Sequence, residues 1–103
     1  MPKLFKITNS KDINFNDKKI KNIDFLFELK GESYKIRDTE HFKTFICASG
    51  SCDLHIEKGG IVEQVRLDNI SKKVETEKDT AVEIKNYTTD TKIVVDYFED
   101  INR

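Results

Sequence analysis

The chain has 103 residues, enough for one domain around a single core, and its 18 basic residues against 19 acidic ones leave a formal net charge of −1. That balance excludes the clustered positive charge of a nucleic-acid binder. The opening MPKLFKITNS holds no apolar run long enough for a secretory leader or a membrane span, so a cytoplasmic protein with neither nucleic-acid nor membrane partners is expected.

Periodicity predicts strands nearly throughout. In NIDFLFEL, Ile23, Phe25, Phe27 and Leu29 alternate with Asp24 and Glu28, which puts the apolar set on one face and argues against a helix over residues 17–29. Lys30-Gly31-Glu32-Ser33 reads as a turn. A strand over Phe42 to Cys47 follows, then a turn at Ser49-Gly50, a strand over Asp53 to Glu57, a reversal at Lys58-Gly59-Gly60 and the strand IVEQVRL. Later strands are predicted at Lys73 to Thr76, Ala81 to Lys85 and Lys92 to Phe98, separated by turns at Glu77-Lys78-Asp79 and Thr88-Thr89-Asp90. The pairs Lys18-Lys19 and Lys72-Lys73 read as solvated turns. No segment shows a cap followed by a sustained helical stripe, and the only proline is Pro2. About seven or eight short strands at roughly ten-residue spacing predict one all-β domain over residues 1–103, closed or sandwich-like, which a jelly-roll barrel fits.

Cys47 and Cys52 flank the turn Ala48-Ser49-Gly50-Ser51, a spacing that would set them opposite each other on paired strands. Buried free thiols are the expected state, with a regulatory disulfide as the alternative. Two cysteines and two separated histidines are poor material for a zinc site, so neither a metal nor another cofactor is expected.

FKTFICASGSCDLHIEKGGIVEQVRLDN resembles the central hairpins of the WxcM-like cupins, the sugar-nucleotide 3,4-ketoisomerases. Gly50-Ser51, Glu57 to Gly59 and Leu67-Asp68 fall at that family's turns and strand ends. IDFLFELKGE matches the strand and turn before the family's histidines, and AVEIKNYTTDTKIVVDYFED matches its closing hairpin. The resemblance covers about residues 20–100, with an abbreviated N-terminus that lacks the usual Arg-Gly hairpin. It implies a small cupin-type jelly-roll barrel, a nucleotide-sugar or other carbohydrate ligand, and a homodimer.

The same resemblance exposes departures. Aligned on Gly50, the family's two histidines fall on Ile36 and Asp38, and the glutamate of metal-binding cupins falls on Phe42. The usual proline falls on Lys78, the usual tryptophan on Ala81, and the tyrosine pair of the early strand on Asp24 and Phe25. Glu83 and Asn86 remain at recognisable positions.

Ketoisomerisation needs a base at the carbon and an acid at the oxygen. Histidine suits that work because its pKa of about 6.5 lies near neutrality, whereas an exposed aspartate at about 3.9 is a weak base. Asp38 and Glu83 are the catalytic candidates, each set against the plainer reading of a solvated strand carboxylate. Tyr34, Arg37 and Asn86 are the ligand-binding candidates; for Tyr34 and Arg37 the plainer reading is a turn tyrosine and a rim arginine. Alternation from Asp38 sends His41 to the opposite face, and His55, between Leu54 and Ile56, reads as outward-facing.

The leading expectation is a cupin-fold binding or assembly module that has lost the usual catalytic pair. The first alternative is an active isomerase or epimerase using Asp38, Glu83 or Tyr34. The second is a structural dimerisation domain whose barrel is plugged by Ile36 and Phe42.

Overall fold

The structure is a computed structural model that describes residues 5–8, 18–69 and 73–100. Among the described residues there are nine strands: β1 (Phe5–Thr8), β2 (Lys18–Leu26), β3 (Ser33–Ile36), β4 (Phe42–Ser49), β5 (Ser51–Lys58), β6 (Ile61–Asp68), β7 (Lys73–Thr76), β8 (Ala81–Lys85) and β9 (Lys92–Asp100). They form a five-stranded sheet in the order β1-β7-β4-β9-β2 and a four-stranded sheet in the order β3-β8-β5-β6, with every pairing antiparallel. This is the predicted all-β class of the cupin-type jelly roll, laid out as two facing sheets. Strands β1 and β3, each four residues long, are additions to the predicted set.

Hydrophobic residues at alternate positions line the space between the sheets. Phe45, Val74, Ile93 and Val95 come from one side, and Leu54, Ile56, Leu67 and Ile84 from the other; all eight are fully buried. Each such aliphatic or aromatic side chain contributes roughly 1.5–3 kcal/mol through removal from water.

The chain passes from one sheet to the other at Gly50, between β4 and β5. Gly50 has φ +74°, and a Cβ there would lie 2.5 Å from Thr91 Oγ1 and 2.6 Å from Thr91 Cα. The corner is tied down because Thr91 Oγ1 donates to Ser51 O at 2.9 Å and Thr88 N–H donates to the same carbonyl at 3.2 Å. β4 and β5 therefore belong to different sheets, and Cys47 and Cys52 are not cross-strand partners as the spacing suggested. Both are buried free thiols. Desolvation, reinforced by the neighbouring Cys47, pushes the Cys52 thiol up to about 12.

Two further expectations change. β2 is extended, as predicted, but it stops at Leu26, and its apolar alternation faces the wrong way for a core. Ile23, Phe25 and Phe27 are 41%, 63% and 43% exposed, while Asp24 and Leu26 take the inward side. Asp24 pairs in register with buried Val95, and Leu26 with buried Ile93. Phe42 also faces outward: it is the register partner of Phe98, and its ring sits under the Lys18 ammonium at 4.3 Å. The barrel plug expected from Ile36 and Phe42 therefore reduces to Ile36, which is 5% exposed in the core.

Candidate functional site

The segment between β3 and β4 is irregular, so strand alternation does not run through it. Asp38 organises it. Its Oδ1 accepts the backbone N–H of Glu40 at 2.8 Å and of His41 at 3.2 Å, the geometry by which a short carboxylate turns the chain. That turn carries the His41 ring back onto Asp38, where Nδ1 lies 2.8 Å from Oδ2. His41 was expected on the face opposite Asp38. The structure brings the two together because the alternation was extrapolated across a turn.

An ionised carboxylate only accepts hydrogen bonds, so Nδ1 carries the proton in this pair and the lone pair of the neutral ring resides on Nε2. Burial tends to raise the Asp38 pKa. The hydrogen bond from His41, the Glu40 N–H and the charge of Lys43 outweigh it and hold the carboxyl below its ordinary value.

Lys43 is the first inward-facing residue of β4 and is 0% exposed. Its Nζ lies 3.4 Å from His41 O, 3.5 Å from Thr80 O and 3.8 Å from Asp38 Oδ1. Desolvation lowers its pKa, and the Asp38 carboxylate partly offsets that. Tyr97 on β9 is the register partner of Lys43 and donates its hydroxyl to Asp24 Oδ2 at 3.0 Å. Its phenol pKa is raised, first by burial and then by that carboxylate. The rings of His41 and Tyr97 meet edge to face, with centroids 6.2 Å apart. Tyr34 shares the inward side of β3 with Ile36 and is 39% exposed. Asp24, Tyr34, Asp38, His41, Lys43 and Tyr97 thus form one polar constellation at the mouth between the sheets.

The other sequence-predicted site residues lie elsewhere. Glu83 is outward on β8, flanked by inward Val82 and Ile84, and a hydrogen bond from Ser33 leads the effects that lower its pKa. It lines a groove of about 570 Å³ on the outer face of the four-stranded sheet, with Lys35, Arg37, His55, Glu57 and Val62. His55 faces outward as expected, and its Nε2 is buried without a hydrogen-bond partner among the described residues. Arg37 therefore sits apart from Tyr34. Asn86, at φ +53°, donates to Asp53 Oδ2 at 2.8 Å, beside the Arg66–Asp53 ion pair at 2.9 Å. That network braces the end of β8 and does not reach the mouth. Among the described residues, no group of three or more His, Cys, Asp or Glu side chains is placed to hold a metal ion.

A family model described as "FdtA: WxcM-like, C-terminal" matches residues 2–100. The chain belongs to this WxcM-like family. The match starts further toward the N-terminus than the resemblance read over residues 20–100. No curated protein sequence matches at a significant level. Solved structures share the fold. The WlaRB TDP-quinovose 3,4-ketoisomerase of Campylobacter jejuni superimposes with a TM-score of 0.72 at 21% identity, over 99% of this chain and 89% of that one. The WlaRA TDP-fucose-3,4-ketoisomerase of the same organism gives 0.71 at 19%, over 96% and 84%. A histidine-to-asparagine mutant of the 3,4-ketoisomerase QdtA from Thermoanaerobacterium thermosaccharolyticum, in complex with TDP-4-keto-6-deoxyglucose, gives 0.76 at 14%, over 100% and 85%.

Of the five candidates read from the sequence, Asp38 and Tyr34 stand at the mouth, Glu83 and Arg37 on the outer groove, and Asn86 in the bracing network. Sequence reasoning passed over His41, Lys43, Asp24 and Tyr97. One signal was available: Lys43 lies on the same side of β4 as Phe45 and Cys47, and a charged residue in phase with a core stripe marks a buried polar site.

Proposed function

We propose that this chain binds a nucleotide-linked sugar at the mouth between its two sheets. The observation that carries this reading is the fully buried Lys43 ammonium, held among Asp38, His41 and Thr80 beside the Tyr97–Asp24 pair. A domain kept only for dimerisation gains nothing from such a cluster, because burying charge costs stability that apolar side chains would not. Ligand polarity supplies the reason to retain it. The ligand class is supported by family membership and by the neighbouring structures in complex with TDP and with TDP-4-keto-6-deoxyglucose. Positions 36 and 38 present a core isoleucine and a carboxylate, so no imidazole acts from either of them.

Titration calorimetry with TDP and with TDP-4-keto-6-deoxyglucose tests the reading. Saturable binding is expected, weakened about 10-fold or more by Tyr34→Ala, a loss of roughly 1.4 kcal/mol. Arg37→Ala and Glu83→Ala, on the outer groove, should leave the affinity unchanged. The opposite pattern would move the ligand to the groove, and no binding of either compound at millimolar concentration would end the proposal.

A further inference from the structure

We infer that the groove on the outer face of the four-stranded sheet binds a small zwitterion of the amino-acid class, independently of any ligand at the mouth. Its shape follows from the register. Lys35, Glu83 and His55 are cross-strand partners in one row over β3, β8 and β5, and Ala81 pairs with Glu57 in the next. Arg37 follows β3 directly and lines the same groove. Ala81 offers a single methyl group among these long side chains, which leaves a hollow of about 570 Å³, within the range of small-molecule sites.

Charge is divided across this hollow. Lys35 and Arg37 stand on the β3 wall, and the carboxylates Glu83 and Glu57 on β8 and β5. Neither Lys35 nor Arg37 closes an ion pair among the described residues. Glu57 Oε2 accepts the Gly60 N–H at 3.0 Å and Glu83 accepts a hydrogen bond from Ser33, so both carboxylates keep acceptor capacity for a ligand. His55 adjoins both: Glu83 is its register partner, and Glu57 lies two residues further along β5. Its Nε2 is shut off from solvent and has no hydrogen-bond partner among the described residues. An orphaned polar atom is destabilising, and a polar group that displaces its cover would complete it.

Two cations against two carboxylates leave the lining balanced, so a simple anion meets two carboxylates and a simple cation meets two basic groups. A zwitterion satisfies both walls, its carboxylate toward Arg37 and Lys35 and its ammonium toward Glu57 and Glu83. Two strand spacings separate the β3 and β5 walls, about 10 Å, so a ligand hydrogen-bonded to both spans about 4 Å between its charged atoms. The ammonium and carboxylate of an amino acid suit that span.

The test is amide NMR of the full chain, titrated with glycine, L-leucine, L-glutamate and L-lysine to millimolar concentration. At least one should saturably shift the signals of His55, Glu57, Ala81 and Glu83. For the amino acid that binds, its carboxamide and its N-acetyl derivative, each lacking one charge, should bind about 10-fold or more weakly. Arg37→Gln and Glu57→Gln should each weaken binding by a similar factor, and Ala81→Leu, which fills the hollow, should abolish it. Thermal melts establish that each variant is folded. No saturable shift with any of the four, shifts confined to the mouth around Tyr34 and Asp38, or equal binding of a derivative lacking one charge would overturn the inference.

Discussion

The His41 ring and the Asp38 carboxylate, three residues apart, meet at 2.8 Å because Asp38 also accepts the backbone N–H groups of Glu40 and His41. One side chain therefore shapes the loop and orients the imidazole. Asp38→Ala should destabilise the fold by about 1–2 kcal/mol at neutral pH, the usual cost of deleting such an acceptor. The Asp38 pKa is lowered in the folded state, so its contribution is present above the unfolded value near 3.8 and is lost as pH falls through the folded value. Urea unfolding at pH 7 and again near pH 3 should show the gap between variant and wild type closing in acid.

Lys43 should behave in the opposite sense. It is buried and its pKa is lowered by desolvation, so its charge costs stability in the fold. Lys43→Met is expected to be neutral or to stabilise by roughly 1 kcal/mol, since Asp38 retains other donors when the ammonium goes. The cost exists while Lys43 is protonated in the folded state and fades as pH rises through its lowered pKa toward 10.5. The advantage of the variant in urea unfolding should accordingly be largest near neutrality, shrink as pH rises through the lowered folded value and be gone above 10.5. A gain in stability accompanied by weaker binding of TDP-4-keto-6-deoxyglucose would mark Lys43 as retained for the site.

Gly50 and Gly59 offer a matched pair. Both have positive φ, at +74° and +61°, but a Cβ at Gly50 would meet Thr91 and Thr88 at 2.5–2.7 Å, whereas nothing lies within 4 Å of one at Gly59. Gly59→Ala carries only the left-handed backbone cost of about 1–2 kcal/mol. Gly50→Ala adds displacement of the Thr91 backbone at the corner between the sheets and should cost about 3 kcal/mol or more. Thermal denaturation of the two variants side by side should show that order; equal losses would mean that the corner yields more readily than its packing indicates.

The outer face of the five-stranded sheet presents Ile20, Ile23, Phe25 and Ile46 at 49%, 41%, 63% and 38% exposure. Such a continuous exposed apolar strip on one sheet face suits burial against the same strip of a second copy. We propose a homodimer through this face. Light scattering should give twice the chain mass over a wide concentration range, and Phe25→Asp should yield a folded monomer. A monomer mass for wild type at all concentrations would reject it.

Much of this molecule was legible from residue order. The strand class, the turns at Gly50 and Gly59-Gly60, and the family likeness all follow from short-range pattern, because alternation and backbone freedom are local properties. Alternation also separated Asp24 from Phe25 correctly. What it could not say was which of them faced the core, since that depends on where the second sheet packs, and Leu26 and Val95 decide it through contacts distant in sequence. The same holds for Cys47 and Cys52: the corner at Gly50 sends their strands into separate sheets, and only the packing of those sheets reveals it. The site shows the division most clearly. Asp38 and Tyr34 could be read from family positions, but His41 required the turn that Asp38 makes, Tyr97 required the pairing of β4 with β9, and Lys43 required both sheets to close over it. Residue order determines which groups are available; the tertiary fold decides which of them share a mouth, because hydrogen bonds and burial act between neighbours in space.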